Sequence, residues 1–140
     1  TSYTYRARRP FDPTAIHDLL NGELPGVIRA KGHFWVATRP EWLAEFSLAG
    51  ALSSISPLGT WWASVPSDRW PDNEALRAYL NANWEEPWGD RRQELVFIGA
   101  GIDWPALEAR LDAALLPDDF NPEQAELEDP FPTWRRQDIQ

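Results

Sequence analysis

The segment Gly89-Asp90-Arg91-Arg92-Gln93-Glu94-Leu95-Val96-Phe97-Ile98-Gly99 decides how the rest of the chain is arranged. A turn-forming Gly-Asp pair and a charged stretch lead into Leu95, Val96, Phe97 and Ile98, and Gly99-Ala100-Gly101 closes the run. A short apolar run, rich in β-branched and aromatic side chains and bounded by glycines, predicts a strand rather than a helix. Because no polar residue interrupts it, the strand is expected to be buried on both faces. The other elements are then its neighbours or its covers.

Working downstream, Asp103 and Pro105 mark a helix start, and Trp104, Leu107, Leu111 and Leu115 recur at helical spacing until Pro117. Residues 121–140 form an acidic, proline-bearing tail without apolar period, with Phe131 and Trp134 as the side chains able to latch it to the body. Working upstream, Pro87-Trp88-Gly89 is a turn, and Leu76, Tyr79 and Leu80 share one side of a helix that begins near Asp72. Trp61, Ala63 and Val65 alternate with Trp62 and Ser64 as a strand, whereas the Ser, Pro and Gly of residues 53–59 read as a loop. Phe46, Leu48 and Gly50 alternate as another strand. Over residues 27–38, Ile28, Ala30, Gly32, Phe34 and Val36 face one way and Arg29, Lys31, His33 and Trp35 the other. Asp12 and Pro13 start a helix to Asn21, and Tyr3, Tyr5 and Ala7 form one side of a first strand over residues 3–9. The expected fold is a single α+β domain over residues 1–120. It has a mostly antiparallel sheet of four to five strands and about three helices, packed mainly on one face.

Composition narrows the function. The 140-residue chain has no cysteine, which excludes a disulfide framework, a thiolate metal site and a cysteine nucleophile. A net charge of −9 argues against nucleic acid or an anionic membrane as the main partner. No apolar run is long enough to span a bilayer or to resemble a signal peptide, so a cytoplasmic location is expected. There is no methionine and the sequence starts at Thr1, which fits a segment of a longer polypeptide.

Cations nevertheless concentrate early. Pairing the first and second strands in one sheet would cluster Arg6, Arg8, Arg29, Lys31 and His33, with Trp35 alongside. Arg and Trp are the side chains that anchor interfaces, so this face is either a docking surface or a solvated face with internally paired charges. Trp61, Trp62 and Trp104 belong to core by their type, with Trp35 and Trp62 out of phase with their strands and the exceptions to expect. His17 and His33 with Asp12, Asp18 or Glu23 would make only a makeshift hard-ligand site, and no metal ligands are assigned. Asp90, Arg91, Arg92 and Glu94 are either structural, making ion pairs or turn hydrogen bonds at the entry of the strand, or an acid and base set beside a phosphate clamp. No Gly-x-Ser-x-Gly elbow occurs, and an independent hydrolase is not expected.

Four stretches together resemble the C-terminal domain of the CobW family of metal-handling GTPases. They are YRARRPFDP at Tyr5 to Pro13, IRAKGHFWVATR at Ile28 to Arg39, GTWWASVP at Gly59 to Pro66 and GDRRQELVFIGAGID at Gly89 to Asp103. The Pro130-Phe131-Pro132-Thr133-Trp134 tail is similar to a subset of the family. The resemblance implies a P-loop domain that hydrolyses GTP with Mg and carries zinc or cobalt on a Cys-x-Cys-Cys segment, for delivery to a metalloprotein client. Neither that segment nor a GxxxxGK[ST] loop occurs in this chain. GTP, Mg and the metal are therefore expected only with the GTPase domain of the same polypeptide, and no cofactor in this segment. The chain departs from the family at Thr14 and Ala15, where an Arg often stands, and at Ala113 and Ala114, where a Cys often stands. The expected role is a non-catalytic accessory domain that docks the GTPase domain or recognises the client, through Arg6, Arg8, Arg29, Lys31, His33, Trp35 and Trp62. Arg91 or Arg92 would face the nucleotide domain and sense its state. The alternative is a free-standing protein-interaction module.

Overall fold

The structure is a computed structural model that describes residues 1–121 and 126–139. The strands are β1 (Ser2–Ala7), β2 (Val27–Phe34), β3 (Trp42–Ala49), β4 (Leu52–Thr60) and β5 (Gln93–Gly99); the helices are α1 (Pro13–Asn21), α2 (Glu74–Asn83) and α3 (Trp104–Ala114). All five strands pair antiparallel in one sheet, in the order β1-β5-β2-β3-β4. The expected α+β architecture holds, and β5 lies between β1 and β2 as an interior strand.

Register explains which residues meet. Residues opposite one another point to the same face, so Tyr5, Leu95, Gly32, Phe46 and Ile55 form one row across the sheet, and Tyr3, Phe97, Ala30 and Leu48 form the next. Gly32 is needed in the middle of this face: a Cβ there would lie 2.1 Å from the carbonyl oxygen of Glu94, so β2 passes flush across β5 only without a side chain. α1 lays Ile16, Leu19 and Leu20 on this face, and α3 adds Leu107, Leu111 and Ala114. The side-chain carboxylate of Asp103 accepts the Ala106 N–H at 3.2 Å and caps α3, while Asn73 caps α2 through Leu76 N–H at 2.7 Å.

The tail closes the same face. Phe131 and Trp134 are buried, Phe131 against Phe34 at 6.2 Å and Trp134 against Trp42 at 6.1 Å between ring centroids. Arg39 holds them. It donates to both carboxylate oxygens of Asp129 (2.8 and 3.0 Å) and to the carbonyls of Phe131 and Pro132, and its guanidinium lies 4.4 Å from the Trp134 ring centroid. The boundary expected near residue 120 adjoins residues 122–125, which lie outside the described residues.

Several expectations change. β5 is buried on one face only: Leu95 and Phe97 are inaccessible, whereas Val96 is half-buried and Ile98 is 39% exposed. α1, α3 and the tail pack against the Leu95 side, leaving the other side open at its Ile98 end. Residues 53–59 are not a loop but most of β4, an edge strand paired with β3 along its length. Its Ser-rich composition suits an edge whose outer side meets water, and Pro57 needs no ladder donor there. The strand expected over Trp61 to Val65 is instead a 3-10 turn at Trp62–Ser64, with Trp61 buried at its start. β2 ends at Phe34 rather than Thr38 and carries a bulge between Val27 and Arg29, which takes Ile28 out of the core alternation and leaves it 63% exposed.

Candidate functional site

The outer face of the sheet has three rows. Ser2, Ile98, Arg29, Ala49 and Leu52 make the first, Thr4, Val96, Lys31, Ser47 and Ser54 the second, and Arg6, Glu94, His33, Glu45 and Ser56 the third. The first row is open. Leu52 is 80% exposed, and with Ile98 and the bulge residue Ile28 it completes the exposed large hydrophobics among the described residues. Arg29 in this row and Lys31 in the second are exposed and make no side-chain hydrogen bond or ion pair among the described residues. Scattered exposed hydrophobics are ordinary; that all three lie at the same end of the sheet is not.

The third row is closed by the chain itself. Glu94 pairs with Arg6 at 3.4 Å and with Arg92 at 3.9 Å, and His33 packs edge-on to Trp61 at 5.9 Å. Burial, reinforced by the Arg92 charge, pushes the His33 imidazolium down from its ordinary value, against the opposing pull of Glu94 and Glu45. Its Nε2 is buried without a hydrogen-bond partner among the described residues. Arg92 lies between the Trp61 and Tyr79 rings and donates to Tyr79 Oη and the Asp90 carbonyl, so it fixes α2 to the sheet.

The cationic cluster expected from pairing the first two strands does not form, because β5 separates them. Arg8 lies beyond β1 and donates to the carbonyls of Asn83 and Gly89 at 2.8 and 3.0 Å while pairing with Glu85. Trp35 is buried, its indole N–H on the Arg8 carbonyl and its ring 5.6 Å from the Arg91 guanidinium. Trp62 is half-buried, with its backbone N–H on Asp90. Arg91 donates to the Pro40 carbonyl at 2.6 Å. Of the nine candidates, the structure brings Arg29, Lys31 and the rim residue Arg6 to the open face, and gives the others contacts within the fold.

Among the described residues no three His, Asp or Glu side chains gather as a metal site, and no helix is long and apolar enough to cross a membrane. The family described as "Cobalamin synthesis protein cobW C-terminal domain" matches residues 1–115.

The chain belongs to the CobW C-terminal domain family.

Residues of the CobW C-terminal domain here are 38% identical over 121 positions to "Zinc-regulated GTPase metalloprotein activator 1" of Dictyostelium discoideum, covering 84% of this chain and 25% of that protein. They are 32% identical over 135 positions to "Zinc chaperone Rv0106" of Mycobacterium tuberculosis, covering 93% of this chain and 34% of that protein. The chain thus spans a quarter to a third of these relatives. Among solved structures, the Zn(II)-bound YjiA GTPase from E. coli shares the fold at 18% identity and a TM-score of 0.53, over 81% of this chain and 29% of that one.

Two residues organise this CobW domain, and only the first was singled out in the sequence. Asp90 is 1% exposed and accepts the Trp62 N–H (3.1 Å), the Ala63 N–H (2.8 Å) and the Tyr79 hydroxyl (3.0 Å), joining the 3-10 turn to α2. Gln93 is fully buried; its carbonyl accepts the Trp35 N–H at 2.9 Å and its amide donates to the Arg9 and Trp35 carbonyls, replacing ladder bonds where β1 and β2 diverge. The first is the structural reading of the charged strand entry, hydrogen bonds that hold a turn; nothing hinted at the second.

Proposed function

We propose that this CobW C-terminal domain is the non-catalytic docking half of a GTP-dependent zinc or cobalt chaperone in the cytoplasm, and that its open sheet face binds the GTPase domain of the same polypeptide. The observation that carries the reading is the first outer row, where exposed Ile98 lies opposite the unpaired Arg29, exposed Leu52 ends the same row two strands on, Ile28 precedes Arg29 at the bulge, and Lys31 stands one row on. Apolar side chains with uncompensated cations between them form the core of a surface made for an apolar patch edged with carboxylates. Position supports it: β1 begins at Ser2, directly opposite Ile98, so a domain preceding β1 would be delivered to this end of the face. GTP, Mg and the transferred metal belong in this reading to the GTPase domain, since the segment has neither a phosphate-binding loop nor cysteine.

The test is calorimetric titration of the separated GTPase domain into this chain. Arg29→Glu with Lys31→Glu is expected to weaken association about tenfold or more, while the far-UV spectrum stays unchanged. Unaltered affinity removes the docking face from consideration. Recognition of the client by the same surface would appear instead as lost metal delivery with GTPase-domain affinity intact.

A further inference from the structure

A cavity of about 260 Å³ opens at the other end of the strands, away from Ile98 and Arg29. Trp35 and Trp88 form its aromatic floor with ring centroids 6.0 Å apart, and Pro40, Pro87 and Phe120 make its walls. Arg91 stands at its edge, 5.6 Å from the Trp35 ring centroid. The guanidinium is held in place from below by two backbone carbonyls: Nε–H donates to Pro40 and one terminal N–H to Trp88. Three of its five N–H groups then have no acceptor, and no carboxylate lies within ion-pair distance among the described residues. Asp90, its neighbour in sequence, spends its oxygens on Trp62, Ala63 and Tyr79. The other charge at the rim, Asp118, lies 3.9 Å from Arg9 and is offset by it. Burial pushes the Arg91 guanidinium down from its ordinary value, against the opposing pull of the Asp90 and Glu41 charges, neither of which pairs with it directly.

We propose that this cavity binds a short acidic peptide segment of a partner protein, one large apolar side chain filling the Trp35–Trp88 floor and an adjacent carboxylate pairing with Arg91. The size suits one side chain. A guanidinium already oriented by two carbonyls and an aromatic face loses little freedom on accepting a carboxylate. The site is independent of the open sheet face.

Two acetylated, amidated pentapeptides test it on the 140-residue chain: one with Phe flanked by Glu on both sides, the other with Gln in place of both Glu. Binding is followed by the indole N–H signals of Trp35 and Trp88 and the Arg91 Nε–H signal in nitrogen-resolved NMR. The acidic peptide is expected to shift these three together and to bind about tenfold more tightly than the Gln peptide. In Arg91→Gln the two peptides should bind alike, and Asp118→Asn should tighten the acidic one. Equal binding of both peptides to the unaltered chain overturns the proposal without relying on any variant. So do shifts confined to Arg29 and Lys31, or free 3-phenylpropionate binding as tightly as the peptide, which would make this a small-molecule site.

Discussion

The two faces of the sheet are built from the same strands and treated oppositely. One is sealed by α1, α3 and the returning tail, with Leu95 and Phe97 inaccessible; the other is sealed only at the Gln93 end, where Trp61, Arg92 and Tyr79 pack, and stands open at the Gly99 end. The contrast runs along one strand, since Phe97 and Ile98 are adjacent. An uninterrupted apolar run therefore need not mean cover on both sides by the same chain. Half of it serves the core and half is presented outward, as in a strand that a second body completes.

The sharpest way to break the comparison is at Phe97. Its truncation to Ala should cost about 3 to 5 kcal/mol in urea unfolding, since the ring is fully enclosed and its site cannot collapse freely. A loss near 1 kcal/mol would mean that the helices do not seal this face.

The closed end of the outer face depends on Asp90 rather than on apolar cover. Asp90→Ala leaves two backbone N–H groups and the Tyr79 hydroxyl without their acceptor, and should cost about 2 to 3 kcal/mol. Loss of protection from hydrogen exchange at Trp62 and Ala63 is the expected local signature. If both amides stay protected, another group holds the turn.

The fold was legible where side chains alternate against a covered face, as in β1, β2 and β3, or where a helix begins with a capping residue, as at Asp103. It was illegible in β4, whose serines face solvent on an edge and whose strand character comes from pairing with β3 rather than from its own composition. Trp61 and Trp62 misled for a related reason: aromatic alternation over five residues fits a strand, but Asp90 captures the two backbone N–H groups that a ladder would need. The candidate site was legible in part. Arg29 and Lys31 could be placed on an outer face by period alone, whereas the exposure of Ile28 depends on a bulge and that of Leu52 on an edge strand, both consequences of pairing.

The tail tests the sealed face from its rim. Arg39→Ala should cost about 2 kcal/mol, because the Asp129 carboxylate, 19% exposed, and two carbonyls lose their shared donor. Acid should act on the same joint. Burial opposes ionisation of Asp129, but hydrogen bonds from Arg39, Thr38 and the Phe131 N–H outweigh it and hold the carboxyl below its ordinary value near 3.8. A carboxyl depressed in the folded state stabilises above its unfolded value and loses that contribution as pH falls through the folded one. The Trp134 indole signal should therefore keep its buried position at neutral pH and move toward that of free tryptophan only below about pH 3.8. In Asp129→Asn the tail should be looser at neutral pH and indifferent to this range. Release already at pH 5 to 6 would assign the joint to another group.

The smallest expected effect is the one that isolates the open face. Ile98→Thr keeps a β-branched side chain in a strand and removes apolar surface that water already reaches, so stability should change by less than about 0.5 kcal/mol. The same substitution should weaken binding of the GTPase domain measurably, because that surface is then covered in the complex and bare in the free chain. A large stability loss would mean that Ile98 is sealed by its own chain, and the difference between the faces would vanish. A silent substitution in both measurements would leave the faces different in exposure yet empty the open one of its role, since an apolar row that contributes neither to folding nor to association has no physical reason to interrupt a polar face.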